Sequence, residues 1–343
     1  MLGVLVLILL LLIAPAPAAA TDRPATFGAS LGSHAMLYLN TEPALQEAMF
    51  RASAEAEVRY LRMDFAVAIV FPWGEPDFTA VERVNALAAA YDIEVLGVIT
   101  STPWYIAECA DGSTDRLDRC GPAPGHERTW RRMVKRMVRH APNVRHWELG
   151  NEPDNSSTFI GGPAEYARWA SLAAAGVRAA DPDAAIAIGG LAHVNEAFVA
   201  AALHDRRYPL IDAVDIANVH VRGTLASVRE QLAAAGAMYA RCGFTGPLWV
   251  TETGYPSRPA HQWDPAFTGG PADQARWLTL GLRTLLDGGA DAVFVSFRDN
   301  HEFGRDSPFA SEGVVRWPRL DRQGRARAKP AYAAVHRLAR LTR

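Results

Sequence analysis

Two glutamates close apolar runs, in Trp147-Glu148-Leu149-Gly150-Asn151-Glu152-Pro153-Asp154 and in Trp249-Val250-Thr251-Glu252-Thr253-Gly254-Tyr255. Such runs read as strands, and each would carry its Glu to the strand's C-terminal end. Convergent carboxylates suit glycoside cleavage. One, kept protonated, gives its proton to the departing glycosidic oxygen while the other attacks the anomeric carbon. A separation of roughly 5 to 5.5 Å would give retention of configuration, a distance that sequence spacing does not fix. Taken singly, a Glu at a strand end is better explained as a helix cap or an ion-pair partner of Arg; it is the two together, with their neighbours, that point to chemistry.

The elements that must position these residues alternate. Short β-rich runs recur at 25–32, 60–67, 94–100, 144–151, 185–190, 213–220, 247–253 and 291–298. Between them lie Ala-, Leu- and Arg-rich stretches with apolar residues at helical spacing, such as Pro163 to Ala180, where Pro163 suits a first helical position and Asp181-Pro182 a stop. Eight strands each followed by a helix predict an α/β chain folded as one (β/α)8 TIM barrel domain. A doubly wound sheet is the rival, but FGASLGSHA after the first run does not fit a GxGxxG phosphate turn. Glu152 and Glu252 lie one hundred positions apart, about three βα units, which sets them across a barrel mouth from one another. Loops after strands two, three, seven and eight are long and carry Trp73, Trp104, Trp263 and Trp317, whose flat faces could stack on sugar rings. Trp147, Trp169, Trp249 and Trp277 fall inside elements and read as packing.

Composition bounds the partners. The chain has 343 residues, 49% apolar and 21% charged, with net charge −2 and no long run of like charge. That excludes a disordered chain, and it gives neither nucleic acid nor a membrane surface an electrostatic advantage. Residues 1–20 combine an apolar run with Pro15, Pro17 and a small-residue Ala18-Ala19-Ala20 end, the pattern of a signal peptide; no Lys or Arg precedes the run, which leaves an uncleaved anchor as the rival. The expected layout is a signal at 1–20 and a barrel at 21–343, secreted or periplasmic, with no stable membrane partner once the signal is cleaved. Nothing in the composition signals an oligomeric state. Cys109 and Cys120, in a loop rich in Asp, Gly and Ser, are close enough to form a disulfide in an oxidising compartment. A zinc site is the alternative, though neither a CxxC motif nor a His cluster accompanies them. Cys242 is left over as a buried thiol.

The string Asn151-Glu152-Pro153 at a strand end resembles the strand-four signature of the retaining (β/α)8 glycoside hydrolases of clan A. Leu61-Arg62-Met63-Asp64-Phe65, Thr102-Pro103-Trp104 and Lys329-Pro330-Ala331-Tyr332 are similar to other parts of that clan, and the likeness runs from about residue 60 to 335. It is greatest to secreted polysaccharide-cleaving enzymes of families 39 and 5. The resemblance implies Glu152 as acid/base, Glu252 as nucleophile and Asn151 as the residue that meets the sugar 2-hydroxyl. It also implies Arg62 beside the nucleophile, where its charge would favour ionised Glu252, while Glu152 must keep its proton. On residue type alone, Arg62 could instead bridge to a core carboxylate.

Strand six departs from the clan, which usually places a His and, two residues on, an aromatic that bonds the nucleophile. The sequence reads Asn218-Val219-His220-Val221-Arg222. His220 fits, or is a core histidine. Arg222 could fork onto a substrate carboxylate, which would point to a uronic sugar, or swing out to a surface acid. Tyr255, three residues beyond Glu252, could supply the missing hydroxyl. Strand eight lacks the clan's floor Trp, and Phe297 could substitute. The expected function is a secreted retaining β-glycosidase acting on a polysaccharide or oligosaccharide by double displacement, with Asn151, Arg62, His220, Arg222, Trp104, Tyr255 and Trp263 binding substrate. It needs no metal and no cofactor, since proton transfer and carboxylate attack suffice. A non-catalytic glycan-binding barrel and a transglycosylase using the same two glutamates are the alternatives.

Overall fold

The computed structural model describes residues 26–30, 39, 41–301 and 304–342, so the expected signal at 1–20 lies outside the described residues. Eight parallel strands carry the fold: β1 (Thr26–Ser30), β2 (Tyr60–Ala66), β3 (Glu94–Thr100), β4 (His146–Asn151), β5 (Ala185–Gly190), β6 (Ala217–His220), β7 (Leu248–Thr253) and β8 (Ala292–Ser296). A helix follows each in turn: α1 (Pro43–Glu55), α2 (Thr79–Tyr91), α3 (Glu127–Arg139), α4 (Pro163–Ala180), α5 (Glu196–Leu203), α6 (Leu225–Arg241), α7 (Pro271–Asp287) and α8 (Pro330–Ala339). Parallel ladders join β5-β4-β3-β2-β1-β8-β7-β6. The seam between β5 and β6 is closed by bridges from Ala187 to Ile216 and from Leu191 to Val219, with His220 N donating to Leu191 O at 2.8 Å. This is the TIM barrel that the alternation predicts.

The sixth strand starts later than the apolar run at 213–220 suggests. Residues 211–213 form a turn in which Ala213 N donates to Leu210 O at 2.9 Å; their apolar neighbours Leu210 and Val214 serve burial rather than the ladder.

Helix α4 shows how the outer layer forms. Pro163 occupies its first turn, and the Glu165 carboxylate accepts from Gly162 N at 2.9 Å, satisfying a donor that the helix start leaves free. Tyr166, Ala170, Ala173 and Val177 recur at helical spacing and are buried against the sheet. A Cβ at Gly176 would stand 2.8 Å from Arg131 O, so glycine lets α3 and α4 approach closely.

Inside the barrel, alternate residues of each strand stack in layers. The lowest is aromatic: the rings of Tyr60, Trp249 and Phe294 lie 5.2 to 5.7 Å apart and plug the N-terminal end. Two residues further along β2 and β4 the layer becomes charged, with Arg62 and Glu148 both fully buried. The plug thus forms a dry floor under the ionic layer, where charges must pair with one another.

Candidate active site

At the end of β4 the backbone turns sharply. Glu152 takes φ +45° and its N–H donates to Gly190 O at 2.9 Å, tying the turn to β5. A left-handed backbone at a glutamate costs on the order of 1 kcal/mol and aims the side chain at the barrel mouth. There Glu152 Oε1 lies 3.0 Å from His220 Nδ1, and Oε2 accepts from Asn155 Nδ2 at 3.1 Å.

Across the mouth, a bulge re-aims β7. The ladders on both of its sides lose register here, between Val219 and His220 and between Val293 and Val295. Consecutive residues therefore both reach inward: Thr251 Oγ1 donates to Asn218 Oδ1 at 2.8 Å, and Glu252 meets two guanidinium groups. Arg62 Nη1 donates to Glu252 Oε1 at 2.7 Å, and Arg222 Nη2 donates to Oε2 at 2.8 Å. The other nitrogens of Arg62 grip Glu148 at 2.7 and 2.8 Å, and Nη2 also reaches Asn151 Oδ1 at 2.8 Å. Arg62 thus bonds both the expected nucleophile and a core carboxylate. Because the Asn151 carbonyl oxygen accepts from Arg62, its amide N–H groups are the end left to face the cavity.

These contacts set the protonation states. Burial alone would raise the Glu252 carboxyl, but His220, Arg62 and Arg222 outweigh it and hold it well below the usual carboxylate range. Burial likewise pushes Glu152 up, yet the His220 hydrogen bond and charge overcome that, and the net displacement is downward. The acid role expected of Glu152 requires it to hold a proton when substrate is bound, whereas the ring nitrogen 3.0 Å away favours the ionised carboxylate in the free site. Deeper in the barrel, burial drives the carboxyl of Asp64 far above its ordinary value, with Arg62 opposing.

The cavity over these groups measures about 610 Å³, and Asn151, Glu152, Arg222, Glu252, Arg298 and Phe309 are among the residues lining it. Of the expected aromatic contacts, Trp104 lies outside that lining; 59% exposed, it stacks on Trp73 with ring centroids 5.5 Å apart. Trp263 is half-buried and donates its indole N–H to Gly223 O at 2.8 Å. Tyr255 is fully buried and stacked on Trp277, and its hydroxyl is bonded to Phe267 O at 2.8 Å, so it does not reach Glu252. Arg222 supplies that contact instead. It neither swings outward nor stands free, since its Nε also donates to Glu312 at 3.2 Å. Phe297 packs in the core against Tyr332, and the β8 side chain at the mouth is Ser296. Cys109 and Cys120 form the expected disulfide, whose loop borders the cavity through Asp118, Arg119 and Cys120; Cys242 is buried.

Glu148 and Glu312 are site residues that motif reasoning did not single out. A Glu between Trp147 and Leu149 in a buried strand was a signal for the first; the loop after β8 carries none for the second.

Carboxylate oxygens of Glu152 and Glu252 and a nitrogen of His220 all lie within 4.8 Å of one another. Such a trio could ligate a metal ion, but two arginines hydrogen-bonded to this cluster disfavour a further cation there.

No protein-family model matches the sequence, and no curated protein matches it. Solved structures do. A family 39 glycoside hydrolase from the gut symbiont Bacteroides cellulosilyticus superposes with a TM-score of 0.65 at 18% identity, covering 93% of this chain and 64% of that one. A glucosidase from Croceicoccus marinus gives 0.68 at 17%, covering 93% and 68%. An exo-β-1,4-mannosidase from an Opitutaceae bacterium gives 0.63 at 16%, covering 95% and 62%. What is shared is the barrel. The chain spans about two-thirds of the length of these structures, and at such identities the likeness is one of fold.

Proposed function

We propose that the protein is a secreted retaining β-glycosidase acting on a polysaccharide or oligosaccharide, with residues 1–20 as its signal and 21–343 as its catalytic barrel. The observation that carries this reading is the pairing of Glu152 with Glu252: two carboxylates with oxygens within 4.8 Å, at facing strand ends, in unlike surroundings. That separation fits direct attack by one carboxylate, since inverting enzymes hold theirs roughly 6.5 to 9.5 Å apart to admit a water. Glu252, ionised by its two arginines, attacks the anomeric carbon to form a glycosyl ester. Glu152 passes a proton to the departing oxygen, then takes one from the water that hydrolyses the ester. Asn151, its amide held by Arg62, offers N–H to the sugar 2-hydroxyl.

Arg222 bears on the substrate class. Its charge is already divided between Glu252 and Glu312, which leaves little for a substrate carboxylate and favours a neutral sugar over a uronic one.

Incubating the purified protein with neutral and uronic β-glycans, beside Glu152→Gln and Glu252→Gln, and assaying new reducing ends tests the reading. Release by wild type and by neither variant supports it. Release that survives Glu252→Gln overturns the nucleophile assignment, and release from uronic glycans alone overturns the preference for a neutral sugar.

A further inference from the structure

Two arginines, the buried Arg62 and the half-buried Arg222, hold Glu252, and each also holds a second carboxylate. Arg62 has Glu148. Arg222 has Glu312, which is 2% exposed, receives Arg222 Nε at 3.2 Å and accepts from Ser296 Oγ at 3.0 Å. The loop after β8 is built to deliver this carboxylate. Gln274 Nε2 donates to Glu312 O at 2.9 Å and Lys329 Nζ to Ser311 O at 3.0 Å, fixing the backbone on both sides. A Cβ at residue 254 would stand 2.9 Å from Glu312 Oε2, so Gly254 leaves room for it. Phe309 covers the Arg222 guanidinium at 5.0 Å, limiting its contact with water.

Forming a glycosyl ester consumes the negative charge of Glu252: a C–O bond forms from its carboxylate oxygen as the glycosidic C–O bond breaks, and the leaving oxygen takes the proton. A cation that is buried, or largely shielded from water as Arg222 is, is disfavoured when it loses its counter-charge. With Glu148 and Glu312 in place, each arginine keeps one carboxylate when Glu252 becomes neutral.

Resting on the glycosidase reading, we propose that Glu312 is a positioning residue that acts through Arg222, supplying the counter-charge that lets Glu252 give up its own during the covalent step. Without it, the whole charge of Arg222 would fall on Glu252, stabilising the free carboxylate and weakening it as a nucleophile. The same change would make Glu252 a better leaving group from the ester. The two half-reactions therefore respond in opposite directions, which general loosening of the site would not produce.

The test uses Glu312→Gln, which keeps the shape and removes the charge, and Glu312→Asp, which keeps the charge. Substrates are the 2,4-dinitrophenyl β-glycosides of glucose, mannose and galactose. For Glu312→Gln, kcat/KM, which reports ester formation, should fall at least tenfold while kcat holds or rises; Glu312→Asp should recover part of the loss. Equal falls in both parameters, or no change in either, would overturn the proposal. A measurement without substrate separates this outcome from failure of the glycosidase reading. In protein labelled with [5-13C]glutamate, the Glu152 carboxyl resonance, assigned by its loss in Glu152→Gln, should titrate at least half a pH unit lower in Glu312→Gln than in wild type. That shift in a protein inert toward all three glycosides would retain the charge role and reject the glycosidase. An unmoved midpoint rejects the charge role whatever the activity.

Discussion

Arg62 joins Glu252 to Glu148: one guanidinium donates at 2.7 Å to the proposed nucleophile and through two other bonds, at 2.7 and 2.8 Å, to a fully buried carboxylate. Only a planar fork of donors can make these contacts at once. In Arg62→Lys the single ammonium leaves part of Glu148 and Glu252 unpaired in a dry site. Breaking such a pair destabilises by about 3 to 5 kcal/mol, and because lysine keeps the charge the loss should fall toward the lower end. Urea unfolding measures this. A variant as stable as wild type would show that Glu148 finds other donors.

The pH dependence of stability follows from Glu252. Its folded-state value lies below the unfolded one of about 4.3, so its contribution is complete above that pH and is lost as pH falls toward the folded value. Wild-type stability relative to Glu252→Gln should therefore be flat from pH 7 to about 5 and decline progressively below about 4.3. Chemical unfolding of both proteins across this range reads the difference. A gap that stays level to pH 3 would mean that the carboxyl is not held ionised.

His220 supplies what draws Glu152 down, against burial, which pushes it up. In His220→Asn the opposing contribution is removed, so the Glu152 carboxyl should titrate higher than in wild type. The carbon-labelled glutamate resonance detects the shift directly. A midpoint that stays in place would assign the downward displacement to the charge of Arg222 and not to the ring.

Much of this was legible in the sequence and some was not, for identifiable reasons. Short β-rich runs placed the strands within a few residues, and Pro163 and Asp181 bracketed α4 as expected, because local propensity and packing agree there. Glu152 and Glu252 stood out as carboxylates at strand ends, and Asn151 through the resemblance of Asn151-Glu152-Pro153 to the clan signature. The surroundings of Arg222 did not, since its partner Glu312 lies ninety residues away in a loop with no periodicity. Tyr255 misled through proximity: three residues beyond Glu252 the chain has already left the mouth, and the ring lies under α7 against Trp277. The state of Glu152 depended on one ring nitrogen, a contact between β4 and β6 that no local pattern encodes.

The disulfide offers a separate handle on the cavity. Cys109 and Cys120 close a short loop whose residues Asp118 to Cys120 form part of the cavity wall. Cross-linking a loop of this length restricts the unfolded chain by about 2 to 3 kcal/mol. Cys109→Ser with Cys120→Ser should lower stability by about that amount and raise KM for a polymeric substrate, while kcat changes less, because Glu152 and Glu252 are held by strands and not by this loop. Comparing KM and kcat of the double variant with those of wild type separates the two effects. A fall in kcat at unchanged KM would place the loop's influence on the carboxylates themselves, through the bond between Ile160 N and Arg119 O that ties it to the segment following Glu152.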